Sequence, residues 1–370
     1  MSPTNSPNPI PFSEPPYLRN LPSPYYTEGH LRFQKACRAF LWENLISHAA
    51  EWEKEGHVPE HVFETFCKHN MLLPNLPAPL PVDWLKRLGI HDILGVRVED
   101  WDYLITNGIW SDYTTMAVRT GGPGASGLSV MVVPLKGYPG VTMRRIHVSG
   151  TKTAGTTYIE LDDVKVPVGN LIGREGDGMR TIMTNFNHER LTIAVQCTRQ
   201  ARVALSSAFG YCLKREAFGK TLMDQPVVRH RLAKAGAELE TVSAWIEQIL
   251  YQLCKLEKVE ADRLLGGVTA LAKAKAAMVL NECAQCAVLL FGGAGLTQSG
   301  QGEIVEGCSA GFVGEAACED LPDAGEEVGP GEDLRYLDDF VSAMFILLGI
   351  VSGYTYRDRS QKQDDSRQLE

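Results

Sequence analysis

The spacing of apolar residues changes three times along the chain. From Glu28 to about Asp102 they recur every three or four residues, which predicts amphipathic helices. From about Ile109 to Leu171 they form short runs rich in Val, Thr and Tyr between Gly and Pro, which is typical of antiparallel strands. From Gly176 the helical period returns, and it is the strongest signal in the sequence.

The strand-like part contains four short runs of apolar and β-branched residues. They are Tyr113–Val118, Leu128–Val133, Val141–Ile146 and Thr156–Leu161. Their length suits single strands, and the Gly and Pro residues between them favour turns. We therefore expect a small antiparallel meander or a partial barrel in this part of the chain.

The last helical part predicts a bundle of three long helices. The first has a stripe with one polar member: Ile182, Phe186, Arg190, Ile193, Cys197, Ala201, Ala204, Ala208 and Cys212. The second begins after Pro226 and has heptad spacing: Val228, Leu232, Ala235, Leu239, Val242, Ile246, Ile249 and Leu253. Such spacing requires another helix alongside. A third, Ala-rich helix is expected from about Val259 to Leu290, with a stop at Gly292 and Gly293.

These patterns predict an α+β fold that is mostly α. Its N-terminal part is helical, a short antiparallel β insert follows, and a C-terminal bundle of long helices comes last. The expected segments are a disordered arm (1–27), an N-terminal helical segment (28–104), a partial β domain (105–175), a helical bundle (176–306) and an acidic, aperiodic tail (307–370).

The charge of the chain excludes one class of partner. There are 36 Lys and Arg residues against 45 Asp and Glu, a net charge of −9 over 370 residues, so binding of nucleic acid through bulk positive charge is not expected. Residues 311–370 hold 14 acidic and 5 basic side chains, which accounts for the whole excess. The longest late apolar run, Phe340–Val351, is too short to span a bilayer, and no membrane span is expected.

The cysteines favour an intracellular protein. Nine cysteines without framework spacing suit a reducing compartment better than secretion. The N-terminal sequence MSPTNSPNPIPF is typical neither of a signal peptide nor of a presequence, and the cytoplasm, a peroxisome and a mitochondrion all stay open. Cys283 and Cys286 form a C-x-x-C pair, but without a second pair or His partners we favour two buried small residues over a zinc or redox site.

Five stretches of sequence occur together in a distinctive order. They are ITNGIWSDY, LDDVKVPVGNLIGREGDGM, NHERLTIA, REAFGKTLMDQP and FGGAGLTQSGQGEIVE. In this order and at this spacing they resemble the acyl-CoA dehydrogenase family. The resemblance extends from about Ile105 to Glu306 and implies an FAD-dependent oxidoreductase with the fold of that family. Such an enzyme acts on an acyl-CoA thioester and forms an α,β double bond, with the β-hydride passing to N5 of FAD.

Glu189 is the candidate catalytic base for removal of the α-proton. Glu189, Arg190 and Leu191 resemble the Glu-Arg-Leu of the family branch that includes long-chain and isovaleryl-type enzymes. At about 100° per residue, Glu189 flanks the apolar stripe between Phe186 and Ile193, which is a border position. The alternative is that Glu189 is an ordinary acid on a helix surface.

Six residues match family positions that contact FAD: Thr106, Arg215, Phe218, Gln225, Gly292 and Gly293. Without the resemblance, Arg215 is a solvated charge at a helix end, the two glycines are a helix stop, and Thr106 belongs to a turn. In the family, Arg215 and Phe218 correspond to residues that reach the FAD of a neighbouring subunit. The resemblance therefore implies a homodimer or a homotetramer, with an electron-transfer flavoprotein or oxygen as the electron acceptor.

The sequence also departs from the family pattern. The join at Leu104 and Ile105 skips about a hundred residues, the size of a small domain. After Glu306 the Arg-rich helix and the Gly-Ser-x-Glu turn of the family are not visible. These departures keep a second hypothesis open, in which the chain is a non-catalytic remnant or an oligomerising helical protein that has lost flavin binding.

Overall fold

The chain folds into two compact units in a computed structural model. The structure describes residues 10–71, 82–94, 96–97, 112–145, 157–297 and 301. The first unit combines residues 10–97 with residues 184–301, and the second contains residues 112–145 and 157–183. The predicted mostly α, α+β fold is confirmed. The N-terminal helical segment and the long-helix bundle, which we expected as separate segments, lie in one unit.

The N-terminal part of the first unit is built from short helices and one hairpin. The helices are α1 (Glu28–Leu41), α2 (Ala49–Glu55), α3 (Glu60–Lys68) and α4 (Val82–Arg87). A π-helical turn, Trp42–Ile46, follows α1 directly. The hairpin consists of β1 (Asp92–Ile93) and β2 (Val96–Arg97), in which Ile93 is opposite Val96. Leu85 and Ile93 are fully buried and form a small core of their own.

The described part of the second unit contains five antiparallel strands in two sheets. They are β3 (Tyr113–Arg119), β4 (Leu128–Pro134), β5 (Val141–Arg145), β6 (Thr157–Leu161) and β7 (Leu171–Ile172). One sheet has the order β3-β4-β7 and the other pairs β5 with β6. Four of the strands coincide with the predicted runs. The sequence did not indicate that the short β7 returns to pair with β4, because two residues give no periodic signal.

Three long helices form the core of the first unit. They are α5 (Gly178–Lys214), which begins in the second unit, α6 (Pro226–Lys255) and α7 (Lys258–Phe291). The predicted heptad residues of α6 are buried from Val228 to Ile249. Fully buried alanines on α7, among them Ala272 and Ala276, give α6 room to approach closely. The bundle prediction is therefore confirmed.

The helix α7 ends where the sequence predicted. Gly292 follows it with a φ of +58°, which favours glycine. Among the described residues, α7 with the turn that follows it is the one helical stretch long and apolar enough to cross a membrane. More than half of its most apolar stretch, 56%, is buried inside the protein, as in the core helix of a bundle. This is weak evidence for a membrane span.

The expectation of a disordered arm is wrong for residues 10–26. Phe12 packs edge-on against Phe209 of α5, and its ring lies against the backbone of α6 at Gly236. Arg199 Nη1 donates to the carbonyl of Ser13 at 3.1 Å, and Arg202 Nη1 donates to the carbonyl of Phe12 at 3.4 Å. These contacts replace the water that an unstructured arm would bind. Residues 1–9 and the predicted tail, 307–370, lie outside the described residues.

Two short β-strands, β8 (Glu216–Ala217) and β9 (Lys220–Thr221), connect α5 to α6. Residues 217 and 220 are paired, so the hairpin has a two-residue turn. A single 3₁₀ turn, Leu222–Asp224, then leads into α6. This connection is short, so α5 and α6 are antiparallel neighbours, as the bundle prediction requires.

We expect Gly236→Ala to have opposite effects in two backgrounds. A Cβ atom at Gly236 would overlap the Phe12 ring, so in the wild-type chain the substitution displaces the arm and lowers the Tm. In a Phe12→Ala chain that overlap is absent, and the better helix propensity of Ala stabilises α6 by up to about 1 kcal/mol. Thermal unfolding of the single and double variants measures both effects. Equal signs in the two backgrounds would contradict the proposed seating of Phe12.

Candidate functional site

Glu189 lies on α5 at the edge of the buried stripe. Phe186, one turn before it, is 1% exposed, and Leu191 and Ala194 after it are also buried. Glu189 itself is half-buried, and its Oε2 atom is inaccessible to solvent. This is the border position that the helical periodicity predicted. A carboxylate at this position, on a rigid helix beside buried apolar residues, is a candidate general base.

Arg190, the polar member of the stripe, contacts the same aromatic ring. Its guanidinium carbon lies 5.9 Å from the centroid of the Phe186 ring, within the range of a cation–π interaction. Burial lowers the pKa of Arg190 from its ordinary value, although an arginine stays protonated at neutral pH. A fixed positive charge therefore lies beside Phe186, one turn before Glu189 on the same helix.

Phe218 occupies the tip of the hairpin between α5 and α6. Phe218 and Gly219 form its two-residue turn with φ values of +56° and +77°, the geometry of a type I′ turn. A positive φ is strained for a residue with a side chain, and Phe218 is nevertheless 95% exposed. An aromatic ring on a strained, fully exposed tip is a candidate contact for a ligand or for another chain.

Arg215 and Gln225 flank this hairpin. The exposed Arg215 follows α5 directly, and its carbonyl accepts a hydrogen bond of 2.8 Å from the N–H of Leu222. The half-buried Gln225 is the first flanking residue of α6, and its carbonyl accepts the N–H of Val228 at 3.1 Å. Arg215 and Gln225 are thus fixed at both ends of one rigid connection.

Two hydrogen bonds between Thr221 and Asp224 hold the turn before Gln225 in place. The hydroxyl and the N–H of Thr221 donate to Oδ2 of Asp224, at 2.8 Å and 3.1 Å. The hydrogen bond from the Thr221 side chain lowers the pKa of the exposed Asp224 carboxyl. The turn therefore stays charged and closed at neutral pH.

Gly292 and Gly293 lie at the same end of the bundle as this hairpin. The ring of Tyr211, near the end of α5, meets the ring of Phe291 edge-on at 5.3 Å, so the ends of α5 and α7 are adjacent. Both glycines are exposed, and a Cβ atom built on either would meet no atom within 4 Å. A cofactor that contains a pyrophosphate binds arginine side chains and needs a close approach to backbone N–H groups. The exposed backbone at Gly292 and Gly293 and the nearby guanidinium of Arg215 fit this requirement.

Glu189 is remote from these residues along α5. It precedes Lys214, the last residue of α5, by 25 residues, which is about 38 Å at 1.5 Å per residue. The structure therefore brings Arg215, Phe218, Gln225, Gly292 and Gly293 to one end of the bundle and leaves Glu189 away from that end. Thr106 lies outside the described residues.

The prediction that Cys283 and Cys286 are buried is confirmed. Both thiols are buried on α7, and Cys283 Sγ contacts the carbonyl of Ala235 at 3.9 Å. Burial raises the pKa of Cys286, and burial together with Cys286 raises that of Cys212 to about 11. Within the described residues no group of three or more His, Cys, Asp or Glu side chains could hold a metal ion.

Sequence reasoning missed a cluster of buried charges under the N-terminal arm. Glu14 pairs with Arg38 of α1, and Arg202 of α5 pairs with Glu240 of α6. Glu14 and Arg202 are 6% and 3% exposed. One signal was present, because Arg202 directly follows the apolar residue Ala201 and so sits beside the buried stripe. The partner Glu14 gave no signal, since it lies in the segment expected to be disordered.

Two family models match the chain. Residues 176–307 match the acyl-CoA dehydrogenase C-terminal domain, and residues 27–80 match the acyl-CoA dehydrogenase N-terminal domain. The chain is 61% identical to the acyl-CoA dehydrogenase apdG of Emericella nidulans, over 80% of this chain and 89% of that protein. It is 27% identical, over the same shares, to the acyl-CoA dehydrogenase AFT10-1 of Alternaria alternata.

Solved structures of the same family share the fold. The acyl-CoA dehydrogenase of Geobacillus kaustophilus superimposes with a TM-score of 0.63 at 21% identity, covering 81% of this chain and all of that one (100%). Glutaryl-coenzyme A dehydrogenase in its glutaryl-CoA complex gives a TM-score of 0.57 at 17% identity, covering 79% and 92%. At these identities the likeness concerns the fold alone.

The match to apdG also includes positions that this chain lacks. It extends over 389 positions, whereas 80% of the 370-residue chain is about 296 residues, so about 93 positions of apdG have no counterpart here. This total is close to the expected skip of about a hundred residues; that the skip is one segment, and that it lies at Leu104 and Ile105, stay predictions. Two matched family domains and a relative of 61% identity nevertheless decide the assignment. The chain belongs to the acyl-CoA dehydrogenase family, and it is an FAD-dependent oxidoreductase of the acyl-CoA dehydrogenase type.

Proposed function

We propose that this enzyme forms an α,β double bond in an acyl-CoA thioester with Glu189 as the base. One observation carries the proposal: Glu189 lies within the matched C-terminal domain at the border of a buried apolar stripe, with its Oε2 atom shielded from solvent. A carboxylate that removes a carbon-bound proton needs such a dry, rigid setting. The proton of the α-carbon then moves to a carboxylate oxygen of Glu189.

Residues at the far end of the bundle are proposed to hold FAD. When bound, FAD accepts the β-hydride at its N5 atom. Arg215 would pair with the pyrophosphate, and the backbone at Gly292 and Gly293 would approach the same group. Phe218 would position the cofactor from the hairpin, and Gln225 from the position just before α6. The shared location of these residues supports this role, as does the exposure of all of them except the half-buried Gln225.

The distance along α5 supports a site that is shared between subunits. About 38 Å separates Glu189 from the end of α5 where the FAD residues lie, so one cofactor bound there does not reach Glu189 of its own chain. A second copy, related by symmetry, would supply the missing half of each site. The 95% exposed Phe218 is available for such a contact. We therefore propose a homodimer or a homotetramer.

The proposal also includes the acceptor that takes the electrons from the reduced enzyme. An electron-transfer flavoprotein would accept them from the reduced enzyme, and oxygen is the alternative acceptor. Reoxidation rates in air, in argon and with a purified electron-transfer flavoprotein distinguish the two. Folded protein that binds no added FAD at all would instead favour the non-catalytic remnant, for which the lack of about 93 positions of apdG is the supporting observation.

We expect Glu189→Gln to abolish bleaching of the flavin by an acyl-CoA while the amount of bound FAD stays the same. The amide cannot accept the α-proton, and loss of a general base lowers turnover by roughly 10²–10⁴-fold. Visible absorption spectra before and after addition of the acyl-CoA measure both quantities. Glu260→Gln, at the exposed start of α7, is the matched control and should bleach normally. Normal bleaching by the Glu189 variant would exclude Glu189 as the base.

We expect Gly293→Ala to lower FAD affinity by at least about tenfold without lowering the Tm of the flavin-free chain. The added methyl group meets no atom of the protein, so only a cofactor that approaches the backbone closely would collide with it. Gly267→Ala, at an equally open glycine of α7, is the control and should leave FAD binding unchanged. Flavin fluorescence titration gives both affinities. Equal FAD affinities for the two variants would remove Gly293 from the site.

A further inference from the structure

A cavity of about 290 Å³ lies in the first unit under the N-terminal arm. The arm forms one wall with Glu14, Tyr17 and Tyr26, and the helices α1, α5 and α6 form the others. This volume is at the lower limit of the range of about 300–1,000 Å³ that small-molecule sites occupy. Neither the proposed base nor any residue proposed to hold FAD lines this cavity.

Two ion pairs at the cavity are bidentate, so the charges in them are already paired. Arg38 binds both carboxylate oxygens of Glu14, at 2.7 Å and 3.0 Å. Arg202 binds both carboxylate oxygens of Glu240, at 2.8 Å and 2.9 Å, and also the Ser243 hydroxyl at 3.0 Å. Such bidentate pairs neutralise each other and leave little binding capacity for a ligand. They fix the walls of the cavity instead.

Two further charges of opposite sign line the cavity without a direct ionic partner. Within the described part of the chain, neither Arg199 nor Glu247 has an oppositely charged group within 4 Å. Arg199 uses Nη1 for the carbonyl of Ser13, and its other N–H groups remain as donors. Glu247 is half-buried and accepts a long hydrogen bond, 3.4 Å, from the hydroxyl of Tyr26. Burial raises the pKa of Glu247, which indicates that its charge is poorly solvated.

We propose that this cavity binds a small zwitterion, with a carboxylate toward Arg199 and an ammonium group toward Glu247. Each charge of such a ligand gains a charge-assisted hydrogen bond, and no net charge enters the cavity. A simple anion would meet the carboxylate of Glu247, and a simple cation would meet the guanidinium of Arg199. The opposite signs of the two residual charges therefore select a ligand that carries both.

The size and the walls of the cavity define the ligand further. The volume of about 290 Å³ is just below the usual range for ligand sites, which indicates a small ligand. Val195, Ile246 and Leu250 add an apolar wall, which suits a short hydrocarbon part. An amino acid of about the size of leucine, or its isomer with the charges at opposite ends, meets both conditions.

The cavity is separate from the proposed catalytic base. Thr198, which lines it, follows Glu189 by nine residues, and at about 100° per residue the two lie on opposite sides of α5. Binding in the cavity is therefore independent of the proposed dehydrogenase chemistry. It can be measured on the full chain without FAD or an acyl-CoA, so the two proposals fail separately.

Calorimetric titration with four probes tests the proposal. Leucine and 6-aminohexanoate are isomeric zwitterions with short and long charge separation, and hexanoate and hexylamine each lack one of the two charges. At up to about 10 mM of each probe, at least one zwitterion should bind about tenfold more tightly than both singly charged probes. Failure of both zwitterions to bind, or equal binding by hexanoate or hexylamine, would overturn the proposal.

Two substitutions that each remove one charge locate the binding. Arg199→Gln and Glu247→Gln should each weaken the bound zwitterion about tenfold, because each removes one charge-assisted partner. Glu247→Gln retains a group that can accept from Tyr26 and does not touch the arm at Ser13, so it separates ligand binding from docking of the arm. Arg263→Gln and Glu260→Gln, at exposed positions of α7, are the matched controls and should bind normally. Wild-type affinity in the Glu247 variant would place the ligand elsewhere.

Limited proteolysis of the N-terminal arm gives a second measurement of ligand binding. Since Glu14, Pro15, Tyr17 and Leu18 form a wall of the cavity, a bound zwitterion should protect the arm from limited proteolysis. Protection should follow the order of affinities among the four probes and disappear in Glu247→Gln. Protection that is the same with all four probes, or with none of them, would contradict binding under the arm.

Discussion

Burial of the apolar faces of α5, α6 and α7 against one another is the constraint on which the rest of the first unit depends. The heptad residues of α6, such as Leu232, Leu239 and Val242, are almost completely buried, and each such side chain contributes about 1.5–3 kcal/mol. The alanines of α7 let the helix axes approach closely. Once these faces are paired, the register of the three helices and the position of both bundle ends are fixed.

That register places the proposed site residues at different points along the bundle. Glu189 lies on α5 25 residues before its last residue, whereas Arg215 and the hairpin follow the last turn of α5, and Gly292 follows the last turn of α7. A rigid helix of this length cannot bend to bring them together. The same rigidity supports the proposal of a site that is shared between subunits.

The N-terminal arm shows how polar groups can substitute for an apolar core. Phe12 anchors the arm at a glycine of α6, and the ring of Tyr25 lies 5.4 Å from that of Tyr251 on the same helix. Further contacts are arginine donors to the carbonyls of the arm and the ion pair of Glu14 with Arg38. Because the buried charges of Glu14 and Arg202 are paired, the cluster avoids the large penalty of an isolated buried charge. The exposed Arg199 and the half-buried Glu247 give the cavity its polarity.

The sequence by itself determined the fold class, four of the five described strands of the second unit, the three long helices, and, by resemblance, the family. Periodicity and ordered motifs are local signals, and burial follows them closely, as at Leu239 or at the half-buried Glu189. Only the tertiary structure decided that the arm is docked and that β7 pairs with β4. These outcomes depend on contacts between residues far apart in the chain. A Pro-rich, aperiodic segment carries no sign of which helix will receive its Phe12 ring or its carbonyl oxygens.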